Sequence, residues 1–219
     1  RIRKIKSAVR ICCAHPSCIN PGLLVMDFGG LIKQLESNRH LAGHIRTARF
    51  AKGAQIIKQG EICKDVIFLR KGLAQMSYVT FEGKEWIKSF FAENAVMGSR
   101  RCQIMGEPSH FAITCLEVCE VTAFPYDKLR LAASESPDLL AVFFDFNEQV
   151  SLRKEKREYE FLCLSAQDRY QGFIAEYANI VPRLTQAQIA SFIGITPIAL
   201  SRIRKRLRQA ESLGVAGAQ

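Results

Sequence analysis

The stretch RLTQAQIASFIGITPIALSRIRKRL, residues 183–207, predicts two short helices joined by a tight turn. Thr185 and Gln188 have the spacing of a capping box, so a helix is expected to begin directly after Thr185. Gly194 ends that helix, and Thr196-Pro197 supplies the N-cap and the first-turn proline of the next one. This arrangement is typical of a helix-turn-helix motif.

The remaining positions of this stretch separate into an apolar face and a basic face. The apolar positions fit two helices that cross steeply; they are Ile189, Ala190, Ile193, Ile195, Leu200 and Ile203. Residues 183–208 contain six basic residues and no acidic residue, which favours contact with a phosphate backbone. The predicted DNA-binding residues are Thr185, Gln186, Thr196, Ser201, Arg202, Arg204, Lys205 and Arg206. Ser201 and Arg202 lie nearer the start of the second helix and are expected to reach base edges. The alternative is an αα-hairpin with a solvated basic face.

Composition limits the class of protein. The chain has 219 residues, 31 Lys and Arg against 21 Asp and Glu, a net charge of +10 and 48% hydrophobic residues. This apolar content excludes a disordered chain, and no apolar run reaches the length of about 18 residues that a spanning helix needs. We therefore expect a globular cytoplasmic protein with a polyanionic partner and no membrane association. No nucleophile elbow, P-loop, paired-carboxylate or zinc-ligand spacing occurs, so an enzyme is not predicted.

Residues 1–25 differ from the rest of the chain. They carry five basic residues and no acidic residue, and they lack the apolar core of a secretory signal. We interpret them as an upstream or appended extension. Cys12, Cys13 and Cys18 form the only tight cysteine group, and the eight cysteines of the chain are too sparse for a disulfide scaffold. Reduced thiols in a cytosol are expected.

Residues 45–126 have the composition and residue spacing of an all-β domain. Glycines recur at short intervals between runs rich in β-branched and aromatic residues, which favours an antiparallel barrel or sandwich. The predicted strands include Gln55–Ile57, Val66–Leu69, Ala74–Val79, Trp86–Phe91, Phe111–Leu116 and Val118–Phe124. Phe81-Glu82-Gly83-Lys84 is the clearest hairpin turn, because glycine tolerates positive φ.

Helices replace strands after Pro125. A short helix is expected over Tyr126–Ser134, and Ser136-Pro137 starts a longer one. Its apolar side chains recur at intervals of 4, 3 and 4, the seam of a packed helix pair; they are Leu139, Phe143, Phe146 and Val150. We expect this seam to form a homodimer, with a core helix of one domain as the alternative. A hinge is expected over Phe161–Ser165, followed by a helix from Ala166 to about Asn179.

The order of these elements resembles the CRP/FNR family of bacterial transcription regulators. The resemblance covers residues 45–207 and rests on the helix-turn-helix and on short fragments of the β domain. Those fragments are Lys52-Gly53, Gln59-Gly60-Glu61, Phe68–Gly72, Val96-Met97-Gly98 and Ser136–Leu140. It implies an α+β protein with an antiparallel β-roll of the double-stranded β-helix or jelly-roll type, a long dimerisation helix and a C-terminal helix-turn-helix domain. It also implies a homodimer that binds a pseudo-palindromic operator in double-stranded DNA and contacts RNA polymerase.

The predicted domains follow from this order. They are the extension 1–25, a cyclic-nucleotide-binding-like β-roll sensor 26–134, a dimerisation helix and hinge 135–164, and a DNA-binding domain 165–219.

The sequence departs from the cyclic-nucleotide-binding members at the pocket. The resemblance places the candidate effector pocket at Gly98, Ser99, Arg100, Arg101, Ser109 and His110. Ser99 stands where those members carry a glutamate, and Ser109 or His110 stands where they carry an arginine. A buried cyclic phosphate without that arginine would lack compensation for its lost hydration. We therefore expect that the pocket either holds an effector other than cyclic AMP or is filled by side chains, and no cofactor is predicted.

Two alternatives remain open. Members of the family that sense oxygen bind an iron–sulfur cluster through N-terminal cysteines and one cysteine of the roll. Cys12, Cys13 and Cys18 could serve as the N-terminal ligands, although their spacing differs, and the candidates for the fourth ligand are Cys63, Cys102 and Cys115. The second alternative is a signalling module that binds a ligand or protein and does not read DNA. It is suggested by residues 208–219, which have the pattern of a helix end and a small-residue tail, so the two-stranded wing usual in the family is expected to be absent or to lie elsewhere.

Overall fold

Two four-stranded antiparallel sheets form most of the N-terminal part of the chain in the computed structural model, which describes residues 28–216. The strands are β1 (Arg46–Phe50), β2 (Gln55–Ile57), β3 (Asp65–Lys71), β4 (Ala74–Val79), β5 (Glu85–Phe91), β6 (Ala95–Met97), β7 (Ala112–Cys115) and β8 (Cys119–Pro125). The strand order is β1-β8-β3-β6 in one sheet and β2-β7-β4-β5 in the other. This confirms the predicted antiparallel roll.

The core of the roll fills with side chains that alternate along these strands, as a two-sheet architecture requires. Ile57, Leu69 and Ile113 are at most 1% exposed and belong to one apolar cluster that draws on both sheets. The predicted hairpin is confirmed, since β4 and β5 pair on either side of Gly83, whose φ is +77°. Strand β1 was not predicted, because four of its five residues are exposed and it pairs only with β8.

Three α-helices accompany the roll, together with a π-helical segment over Arg101–Met105 between β6 and β7. The α-helices are α1 (Phe28–Glu36), α2 (Tyr126–Ser134) and α3 (Pro137–Cys163). The bounds of α2 and the first residue of α3 agree with the sequence prediction. A second apolar cluster joins α1, α2 and the first turn of α3 to the roll, through Ile32, Phe68, Phe124 and Leu139.

The chain divides into two compact units within α3, between Lys156 and Arg157. The second unit consists of the last turns of α3, then α4 (Ala166–Glu176), a 3₁₀ turn (Val181–Arg183), α5 (Gln186–Ile193) and α6 (Pro197–Ala216). Residues 157–216 contain no strand, and α6 continues to Ala216, so these residues hold no wing. Among residues 28–216, no helix is both long and apolar enough to cross a membrane.

Candidate nucleic-acid interface

Helix α5 begins and ends where the sequence predicts, and α6 begins where it predicts but continues to Ala216. The Thr185 N–H donates to Gln188 Oε1 at 2.8 Å, and the Gln188 N–H donates to Thr185 Oγ1 at 3.2 Å, which is the complete capping box. Thr196 Oγ1 accepts from the Ala199 N–H at 3.2 Å and so caps α6. Between the helices Gly194 adopts the left-handed conformation, with φ 77° and ψ 34°. The starts of both helices and the conformation of the turn are thus set by residues within the motif.

Five of the six predicted apolar positions of the motif are buried, and the sixth, Ile195, is half-buried. Ile189, Ala190, Ile193 and Leu200 are at most 1% exposed, and Ile203 is 5% exposed. Small Ala190 also accepts a hydrogen bond at its carbonyl from the Ile195 N–H at 3.0 Å, across the turn. Close packing of the two helices therefore leaves their opposite faces to solvent.

The predicted DNA-binding residues lie on that open side. Seven of the eight are exposed, and the eighth, Arg204, is half-buried. The exposed seven are Thr185, Gln186, Thr196, Ser201, Arg202, Lys205 and Arg206. No acidic side chain interrupts residues 183–210, so this surface, which we call the basic face, can approach a polyanion without repulsion.

A pair of arginines holds the C-terminal end of α5, a role that was not predicted from the sequence for either residue. Arg157 Nη2 donates to the Phe192 carbonyl at 2.7 Å, and its guanidinium lies 3.9 Å from the centre of the Phe192 ring. Arg169 Nε donates to the Ile193 carbonyl at 3.0 Å. Cations suit this end of a helix, where carbonyl groups remain unpaired and the helix dipole is negative. Burial lowers the pKa of the Arg157 guanidinium, yet an arginine keeps its charge in a protein.

The turn itself packs against the last part of α3. A Cβ atom at Gly194 would lie 2.6 Å from Phe161 Cε1. The rings of Phe173, Tyr177 and Phe192 support the same region, with centroids 4.7 to 5.3 Å apart. A sequence signal existed for Arg157 only, since it continues the spacing of the apolar seam of α3 beyond Val150.

The predicted hinge falls where helices change. Helix α3 ends at Cys163, and Ser165 Oγ caps α4 by accepting from the Asp168 N–H at 3.2 Å. Arg169 Nη1 donates to the Leu164 carbonyl at 2.7 Å and so ties the junction to α4.

Two serines of the predicted effector pocket are buried in the roll and form hydrogen bonds with its backbone. Ser99 is fully buried, and its Oγ accepts from the Cys102 N–H at 3.4 Å. Ser109 is 1% exposed, and its Oγ donates to the Phe111 carbonyl at 2.8 Å. Gly98 is tightly enclosed, because a Cβ there would lie 2.5 Å from Gln103 Nε2. The exposed His110 is the polar member of the predicted pocket most open to solvent.

The two arginines of the predicted pocket point to partners in their own unit. Arg100 Nη2 bonds to Asn147 Oδ1 of α3 at 2.5 Å, and the rings of Tyr126, Phe143 and Phe146 surround its guanidinium at 5.6 to 5.9 Å. Burial lowers the pKa of this guanidinium. Arg101 forms an ion pair with Glu107. Arg100 therefore ties the loop after β6 to α3.

The predicted seam of α3 lies toward its own roll at its N-terminal end. Leu139 is 5% exposed and sits in the second apolar cluster, while Phe143, Phe146 and Val150 are half-buried. The exposed apolar side chains of α3 in this unit are Leu140, Phe144 and Leu152, at 51%, 65% and 56%. The dimer role of Leu139, Phe143, Phe146 and Val150 stays a prediction.

The predicted cluster ligands Cys12, Cys13 and Cys18 lie outside the described residues. Within residues 28–216 no three His, Cys, Asp or Glu side chains are grouped as metal ligands. Cys102, Cys115 and Cys119 are buried in the roll, and burial raises the pKa of the Cys115 thiol to about 12.

Comparison with known proteins agrees with this architecture. Residues 47–136 match the family described as cyclic nucleotide-binding domain. The chain is 22% identical over 223 residues to electron transport regulator A of Shewanella oneidensis, covering 97% of this chain and 88% of that protein. It is 25% identical over 179 residues to the fumarate and nitrate reduction regulatory protein of Yersinia pestis, covering 76% and 70%.

Solved structures establish the fold. FixK2 from Bradyrhizobium japonicum superposes with a TM-score of 0.67 at 16% identity, over 76% of this chain and 86% of that one. The c-di-GMP responsive global regulator CLP of Xanthomonas campestris superposes with a TM-score of 0.66 at 17% identity, over 85% and 94%.

Proposed function

Because the chain belongs to the CRP/FNR family of transcription regulators, which are not enzymes, we propose that this DNA-binding regulator is an effector-controlled homodimer that reads a specific operator. The observation that carries the proposal is the basic face of the helix-turn-helix, which is exposed and free of acidic residues while its opposite face is buried. A DNA partner also implies a cytoplasmic location.

The basic face divides into two kinds of contact. Ser201 and Arg202 lie one turn into α6, the part of a recognition helix that reaches base edges in the major groove. Arg204, Lys205 and Arg206 lie further along and contact phosphates, as do the exposed side chains that begin α5 and α6: Thr185, Gln186 and Thr196. Phosphate contacts set register and affinity, whereas base contacts set the sequence.

A homodimer with two-fold symmetry would determine the symmetry of the operator. Helix α3 exposes Leu140, Phe144 and Leu152, which a second copy of the helix would bury. Two recognition helices about 34–36 Å apart then enter successive major grooves on one side of the duplex, so the operator is pseudo-palindromic. RNA polymerase is the second partner that this family relationship implies.

Effector control acts through the roll and α3. The hydrogen bond from Arg100 to Asn147 links the position of α3 to the conformation of the segment after β6. Helix α3 continues into the unit that contains the helix-turn-helix. A change in that segment would rotate the recognition helices about the hinge Phe161–Ser165. Cyclic AMP is not the expected effector, because Ser99 and Ser109 carry no charge and bond within the roll.

Selection from a random duplex library at fixed salt tests the proposal. The purified protein is expected to enrich a two-fold symmetric site whether air is excluded or admitted. Cyclic AMP is then titrated into the complex of the protein with the selected site, and the affinity of the protein for that site is expected not to change. An asymmetric site would refute the dimer.

Two outcomes would replace the proposal by its alternatives. Enrichment only without air would favour an iron–sulfur or redox-sensing regulator built on Cys12, Cys13 and Cys18. No enrichment in either arm, or only salt-sensitive binding without sequence preference, would favour a signalling module that does not read DNA.

A further inference from the structure

Ile198 is an apolar side chain on a face that is otherwise polar. It occupies the second position of α6 and is 68% exposed. Residues three and four positions apart share one face of a helix, so Ile198 lies beside Ser201 and Arg202. These two are the side chains to which we assign base contacts, and Ile198 extends that row toward the start of the helix.

Packing of the motif does not require Ile198. The buried side of α6 is supplied by Leu200 and Ile203, which are 1% and 5% exposed. The first turn is held by Thr196, whose Oγ1 accepts from the Ala199 N–H, so the backbone at Ile198 is fixed. A β-branched side chain in a helix has one strongly preferred rotamer, and Ile198 therefore presents a preformed apolar surface.

The major groove offers one apolar group on its base edges, the 5-methyl group of thymine. Resting on the proposed function, we infer that Ile198 is a specificity-determining residue that packs on a thymine methyl group in each half-site of the operator. Ile198 has no hydrogen-bonding group, so the thymine methyl group is the base-edge group that its side chain can distinguish. The operator therefore carries an A·T pair at the outer or inner neighbour of the base that Arg202 reads.

The test removes the methyl group from the DNA and leaves the protein intact. Starting from the operator obtained by selection, each thymine of the half-site is replaced symmetrically by uracil, which differs only in lacking that methyl group. One position is expected to weaken wild-type binding by about fourfold for each half-site, the worth of one buried methyl group. Uracil placed outside the half-sites is the matched control and is expected to have no effect.

Protein variants connect that position to Ile198. I198A is expected to bind thymine and uracil operators equally well, whereas I198V keeps most of the preference. If I198A binds no DNA, the wild-type uracil series and the I198V series still decide the matter.

Three results would overturn the inference while leaving the proposed function intact: an operator with no thymine in its half-sites, a uracil series without effect, or a thymine preference unchanged in I198A. Failure to select any operator is a different outcome, because it refutes the proposed function itself.

Discussion

Gly194 is a residue at which both the backbone conformation and the packing exclude a side chain. Its φ of 77° is costly for a residue with Cβ, and the added Cβ would lie 2.6 Å from Phe161. We expect Gly194→Ala to lower the free energy of unfolding of the DNA-binding unit by about 1–3 kcal/mol. Urea denaturation followed by circular dichroism measures this loss, and operator affinity should fall with it.

Gly172 provides the control for that substitution. It lies inside α4, and a Cβ built there meets nothing within 4 Å. Gly172→Ala is therefore expected to stabilise the same unit by up to about 1 kcal/mol, since alanine favours helix more than glycine does. Equal effects of the two substitutions would show that the turn does not need its left-handed glycine.

Arg202 and Lys205 are both exposed cations of α6, yet we assign them different contacts. Arg202→Ala is expected to cost about 1–3 kcal/mol of specific binding and to relax the preference at one operator position. Lys205→Ala is expected to weaken binding to all sequences alike and to reduce the slope of log affinity against log salt by about one. Titrations of operator and random duplex at several salt concentrations separate the two. If both variants lose specific and random binding equally, Arg202 does not read a base.

At the scale of elements, the C-terminus of α5 depends on a side chain from α3. Arg157 donates to the Phe192 carbonyl and covers the Phe192 ring, and this helix end is where a cation is most favourable. Removing the donor would leave a buried carbonyl without this partner, at a cost of about 1.5–3 kcal/mol for a bond to a charged group. Arg157→Met is thus expected to destabilise the DNA-binding unit by that amount.

Exposed Lys154, one turn earlier on α3, is the control for Arg157. Lys154→Met removes a cation of similar length and is expected to leave stability unchanged within about 0.5 kcal/mol. Differential scanning calorimetry of the three proteins measures both effects. If Arg157→Met unfolds like the wild type, Arg157 does not hold α5.

Elements whose signals are local were predictable, and elements set by distant neighbours were not. Thr185, Gln188 and Gly194 specify α5 through contacts within a few residues, so their roles could be inferred from sequence. Strand β1 has no alternating pattern because it is an edge that pairs only with β8. Arg157 continues the spacing of the apolar seam of α3, but that spacing does not predict its hydrogen bond to the Phe192 carbonyl, 35 residues away in the sequence.

The same distinction applies to α3 at the scale of the whole molecule. Apolar spacing identifies a stripe that must be covered, but it does not say by what. Leu139 is covered by the roll of its own chain, and Phe146 borders Arg100. Phe144 lies on a different side of the helix and is 65% exposed. Leu140 and Phe144 remain exposed when a single chain folds. If the protein dimerises through α3, these two side chains would contribute apolar surface to the dimer interface.

Phe144→Glu tests this arrangement. A carboxylate placed against its symmetry mate in an apolar interface is costly, so we expect the variant to be monomeric at micromolar concentration and to lose at least tenfold in operator affinity. Sedimentation velocity measures the first effect and duplex titration the second. Phe81, at the hairpin after β4, is fully exposed, and Phe81→Glu is the matched control, expected to change neither the oligomeric state nor the operator affinity.

If Phe146→Glu dissociates the dimer while Phe144→Glu does not, the interface is the seam of Leu139, Phe143, Phe146 and Val150 instead. If neither substitution dissociates the dimer, α3 is not the dimer helix, because a carboxylate on either of its apolar faces would then leave the interface intact.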